Sequence, residues 1–114
     1  ALTRAMELQR KASTVGFDWN DPRAVLSKIR EEADEIEAAL DGGHADELAE
    51  ETGDLLFALV NLARHVGADP ESALRGTNAK FERRFRAMEA EAGEAFAGLD
   101  LDGKEALWVK AKRG

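Results

Sequence analysis

At 114 residues the chain is sized for a single domain built on one core. Sixteen Lys and Arg stand against 23 Asp and Glu, a net charge of −7, which excludes a long positive surface for nucleic acid and makes any nucleotide contact local or metal-bridged. Cysteine is absent, which excludes disulfides, thiolate zinc sites and a cysteine nucleophile; with no signal-like opening and no apolar run near the roughly 20 residues that span a bilayer, a soluble cytoplasmic protein without a membrane partner is expected.

Apolar Leu2, Ala5, Met6 and Ala12 among charges predict a first amphipathic helix from about Leu2 to Val15, broken by Gly16. Phe17 and Trp19 are expected as anchors of the loop Phe17-Asp18-Trp19-Asn20. Asp21-Pro22 then supplies a cap and a proline suited to the first helical position. A second helix follows to about Leu40, with Leu26, Ile29, Ala33, Ile36 and Leu40 at three- and four-residue steps, and Asp41-Gly42-Gly43 ends it. A third helix is predicted from about Ala45 to Val66, its stripe formed by Leu48, Leu55, Leu59, Leu62 and Val66. Asp69-Pro70 opens a fourth, which carries Leu74, Phe81, Phe85 and Met88 to about Ala90. Gly93 and Gly98 predict a looser connection, and Asp102 with Glu105 predicts the cap of a last helix bearing Leu107, Trp108 and Val109. Period-2 alternation is absent, so the fold class is all-α, an antiparallel helical bundle of two hairpins in one domain over residues 1–114.

The second and third helices carry an unusual set of acids. At about 100° per residue, Glu32 falls roughly 70° and Glu35 roughly 130° from the centre of the apolar stripe, on one side, while Glu31 points away. Glu47, Glu51, Asp54, Ala58, Asn61 and His65 form a polar line along one flank of the third helix. Glu32, Glu35, Glu51 and Asp54 can therefore meet across one hairpin. Like charges at a core edge repel unless a proton or cation offsets them, and an all-oxygen set suits Mg²⁺ or Mn²⁺. The same residues also fit a solvated acidic face. Lys80, Arg83, Arg84 and Arg86 form a dense basic run, with Lys80 and Arg84 one turn apart; they suit phosphate oxygens, or salt bridges to Glu82, Glu89 and Glu91.

Arg30-Glu31-Glu32-Ala33-Asp34-Glu35 followed by Glu51-Thr52-Gly53-Asp54 resembles the Glu-Glu-x-x-Glu and Glu-x-x-Asp signature of MazG-type nucleoside triphosphate pyrophosphohydrolases. The likeness extends over Gln9-Arg10-Lys11-Ala12, Val15 to Trp19, Gly53 to His65 and Asn78 to Phe85, nearly the whole chain. It implies a dimeric all-α fold that hydrolyses nucleoside triphosphates to monophosphate and pyrophosphate. Glu32, Glu35, Glu51 and Asp54 are then metal ligands, and Glu31 acts from behind them or as a base. Lys80 and Arg84 bind phosphate, with Arg83 counted beside them in the substrate-binding set. Trp108 and Lys112 approach the nucleotide, with Trp108 also suited to the core, and Asn61 contacts sugar or phosphate. Mg²⁺-bound water would attack the α-phosphorus, Glu31 or Glu35 would take its proton, and Lys80 and Arg84 would offset leaving-group charge. The wide apolar faces also lead to a homodimer. Two other readings are a dUTP- or dCTP-specific pyrophosphatase of the same superfamily and a non-catalytic helical oligomerisation module.

Overall fold

The computed structural model describes residues 1–19 and 21–114; Asn20, expected in the loop before the second helix, lies outside the described residues. The elements are α1 (Leu2–Ser13), α2 (Pro22–Gly42), α3 (Ala45–His65), α4 (Pro70–Ala92), a 3₁₀ helix (Gly93–Gly98) and α5 (Leu101–Arg113). Among the described residues there is no strand, and no helix is long and apolar enough to cross a membrane. The chain divides into two compact units, Ala1–Ala73 and Leu74–Gly114.

The first unit is organised by α3, which packs against both α2 and α1. Asp21 caps α2 as its spacing predicts, accepting from Ala24 N at 3.0 Å with Pro22 at the first helical position. Gly43, at φ 71°, ends α2 in the left-handed region, and its N–H donates to Ala39 O. His44 then begins α3, so a two-residue connection turns the chain back on itself. Val25, 1% exposed, lies at the centre of the core with Met6, Ala39, Ala58 and Val60.

The apolar stripe read for α3 faces inward only in part. Leu59 and Val66 stay exposed, while Ala58 and Asn61, on the flank read as polar, are buried. The buried side of α3 thus carries small Ala58 and hydrogen-bonded Asn61 in place of those larger apolar side chains.

In the second unit, ring contacts join α4, the 3₁₀ helix and α5. Phe81 stacks on Phe85 at 5.8 Å and meets Trp108 at 5.6 Å, and Phe96 stands edge-on to Phe85 at 5.4 Å. The expected loose connection is thus an ordered 3₁₀ helix that places Phe96. The last helix starts at Leu101 because Asp100, not Asp102, caps it, accepting from Gly103 N at 2.8 Å.

Candidate active site

Glu32 and Glu35 are one turn apart on α2, and Glu51 is on the antiparallel α3. Each offers a carboxylate oxygen within 4.8 Å of the other two. Glu32 is 5% exposed, Glu51 half-buried and Glu35 exposed. Lys28, one turn before Glu32, donates to its Oε1 at 3.1 Å, and this contact raises the lysine pKa. Oε2 of Glu32 and Oε2 of Glu51 are buried with no hydrogen-bond partner.

The crowding of these carboxylates acts on Glu51. The Glu51 pKa is pushed up to about 7, first by the hydrogen bond with Glu35, then by burial and by the charges of Glu35, Glu32 and Asp54. One lysine against three carboxylates leaves negative charge uncompensated, and two orphaned oxygens give a hard cation direct ligands. This acidic cluster could bind a metal ion.

Asp54 stands outside the trio whose oxygens converge. It joins Glu32 in lining a cavity of about 190 Å³ with Trp19, Val25, Lys28 and Asn61. Glu31 points away as its helical angle predicts: its side chain is 62% exposed and lies 4.0 Å from Lys28. Asn61 is 2% exposed and accepts from Arg64 Nη2 at 2.7 Å.

In the second unit, Arg83, Arg84 and Lys112 line a cavity of about 320 Å³ with Ala87 and Ala111. The Arg84 guanidinium lies 5.6 Å from the Trp108 ring centre. Surface pairing absorbs only part of the basic run: Arg86 pairs with Glu82 and Lys110 with Glu91, while Lys80, Arg83 and Arg84 pair with no carboxylate among the described residues. Trp108 is half-buried, with its ring centre 5.6 Å from that of Phe81.

Residues 20–88 match the family model of the MazG nucleotide pyrophosphohydrolase domain. The chain belongs to this family. It is 46% identical over 118 residues to the nucleoside triphosphate pyrophosphohydrolase of Escherichia coli (strain K12), covering 99% of this chain and 45% of that protein. It is 46% identical over 117 residues to the nucleoside triphosphate pyrophosphohydrolase/pyrophosphatase MazG of Thermotoga maritima, covering 100% of this chain and 45% of the relative. A shorter likeness, 46% over 72 residues, links 60% of the chain to 15% of the uncharacterized protein YabN of Bacillus subtilis. The chain thus spans about half the length of the first two relatives.

The MazG domain also holds residues that spacing did not reveal. Arg64 donates through Nη2 to Asp18 Oδ1 at 2.6 Å, and that contact holds the Asp18 carboxyl below its usual range. His65 bridges Asn61 O and Trp19 O, each at 2.9 Å. Together these tie the Asp18–Trp19 segment to the end of α3, across 46 residues of sequence. Periodicity within a helix cannot report such a pairing. Lys28 was detectable: it precedes Glu32 by four positions, the spacing of a helical ion pair.

Proposed function

We propose that this MazG domain hydrolyses nucleoside triphosphates to the monophosphate and pyrophosphate, using Mg²⁺ or Mn²⁺ held by Glu32, Glu35, Glu51 and Asp54. The observation that carries the reading is the three-carboxylate cluster, in which two buried oxygens lack partners and Lys28 is the one cation bonded to it among the described residues. The bound ion would neutralise triphosphate oxygens and lower the pKa of a water for attack at the α-phosphorus. Glu35, the most exposed of the trio, takes the proton of the attacking water. Lys28 holds Glu32 in place by its hydrogen bond, and Glu31 keeps Lys28 oriented from the solvent side. Lys80, Arg83, Arg84 and Lys112 are assigned to phosphate oxygens, supported by the cationic cavity that the last three line. Trp108, beside Arg84, keeps that guanidinium in place. Asn61, on the wall of the Glu32 cavity, contacts the sugar.

A homodimer is part of the same reading. Exposed Leu56, Leu59 and Val66 offer an apolar face on α3 that a second copy would cover. Product analysis tests the activity: each ribo- and deoxyribonucleoside triphosphate is incubated with the protein and Mg²⁺, and the products are separated. Monophosphate with pyrophosphate, abolished by a chelator, is expected. Diphosphate with phosphate, or no turnover by the folded protein, overturns the assignment.

A further inference from the structure

His65 ends α3 with its side chain 10% exposed, and both of its ring nitrogens face backbone carbonyls. Nδ1 lies 2.9 Å from Asn61 O, and Nε2 lies 2.9 Å from Trp19 O. A carbonyl oxygen only accepts, so each contact is a hydrogen bond only when the nitrogen opposite carries a proton. A neutral imidazole has one N–H and satisfies one carbonyl; at the other, lone pair faces lone pair. The doubly protonated ring satisfies both. Asp18 Oδ1, 3.4 Å from Nε2, supplies its counter-charge.

The charges around the ring are few. Arg64, its neighbour on α3, donates through Nη2 to the same Asp18 oxygen at 2.6 Å. Asp69, four positions on, accepts from Ser72 N at 3.0 Å as the cap of α4. From α1, Leu8, buried Gln9 and Ala12 face the Asp18–Trp19 segment, and none of them titrates. From α2, Lys28 and Glu32 line the 190 Å³ cavity that Trp19 and Asn61 also line, and they pair with each other at 3.1 Å. Asp18 thus receives two partners of different kind: a guanidinium that stays charged, and an imidazole of the type that changes charge between about pH 5 and 8.

We propose that His65 is a pH-sensitive latch, whose doubly protonated ring closes the Asp18–Trp19 segment onto the end of α3. Whichever nitrogen gives up its proton, the bridge from Asn61 O to Trp19 O is broken. Trp19 is part of the wall of the cavity lined by Glu32 and Asp54, so that wall tightens as pH falls and loosens as it rises. The device acts on the shape of the cavity and does not depend on the hydrolase reading.

NMR of the whole chain in chelator, without nucleotide, tests it. Ring protonation is read from the His65 nitrogen signals, with exposed His44, the other histidine, as reference. Opening of the segment is read from hydrogen exchange at the Trp19 amide, which donates to Asp18 Oδ1 at 2.9 Å, corrected for the intrinsic pH dependence of exchange. Protection should fall about fivefold to tenfold, the size of one hydrogen bond, in step with loss of the His65 proton. His65→Gln, whose single amide nitrogen cannot span both carbonyls, should show low protection and no step. Glu51→Gln, which removes the carboxyl pushed up to about 7, should keep the step. A step that persists in His65→Gln or vanishes in Glu51→Gln overturns the latch. So does full protection beside a neutral ring, or a ring that keeps one charge from about pH 5 to 8. Those last two outcomes need only the wild type, and they decide alone if His65→Gln does not fold.

Discussion

The two compact units carry opposite charge. Residues 1–73 hold 16 acids against 7 basic residues, and residues 74–114 hold 7 acids against 9 basic residues. In the first, carboxylates crowd together with buried oxygens unpartnered; in the second, arginines and a lysine line a cavity beside an aromatic cluster. Internal pairing covers each group only in part: Lys28 meets Glu32 in the first unit, and Arg86 meets Glu82 in the second. In the reading proposed above, a cation would offset the acids and an anion the bases.

Removing charge from the acidic unit should have the largest effect. Glu32→Gln or Asp54→Asn is expected to lower kcat by about a thousandfold or more, with helix content by circular dichroism unchanged. Retained turnover with either would sink the metal assignment. In the basic unit the expected loss is smaller: Arg84→Ala should lower kcat/KM about tenfold to a hundredfold. Arg84→Lys should recover only part of it, because an ammonium stacks less well on Trp108 and cannot fork to two oxygens. Equal activity of Arg84→Lys and wild type would reduce the role of Arg84 to bulk charge.

Two further tests concern stability in the acidic unit. Asp18→Asn removes the charge that Arg64 holds and should lower unfolding free energy in urea by about 1–3 kcal/mol, seen as a shift of the midpoint. No shift would mean that the loop tie is not structural. The smallest effect is in pH. The folded-state pKa of Glu51, about 7, lies above its ordinary value of 4.5, so its contribution to stability is complete below 4.5 and is lost as pH rises through about 7. Melting temperature in chelator should therefore fall across that window, and Mg²⁺ should flatten the fall by stabilising the ionised cluster. A profile that is the same with and without Mg²⁺ contradicts a cation at Glu51.

What could be read in advance follows physical range. The helices, the Asp21 and Asp69 caps and the pairing of Glu32 and Glu35 with Glu51 all depend on residues close in sequence or related by one short turn. The Asp18, Arg64 and His65 ties and the burial of Gln9 depend on which distant segments meet. Gln9 had a faint signal, three positions after buried Met6 and hence on its face of α1. The acid set was legible as chemistry before it was visible as geometry, yet the structure brings three of its four members together and sets Asp54 on the cavity wall.

The Gly43 turn sets a rule for how this hairpin can change length. Glu35 and Glu51 stand eight positions before and after Gly43, and Glu32 and Asp54 eleven before and after it. At about 1.5 Å per residue, both arms hold their acids at matching heights, about 12 and 17 Å from the bend. One residue added to a single arm would lift one side by about 1.5 Å and swing it by about 100°, dispersing the carboxylates while both helices stayed intact. Insertions are therefore compatible with the cluster on the far side of the acids, or as matched additions of whole turns to both arms, which makes the spacing about Gly43 a ruler for finding working copies of this hairpin.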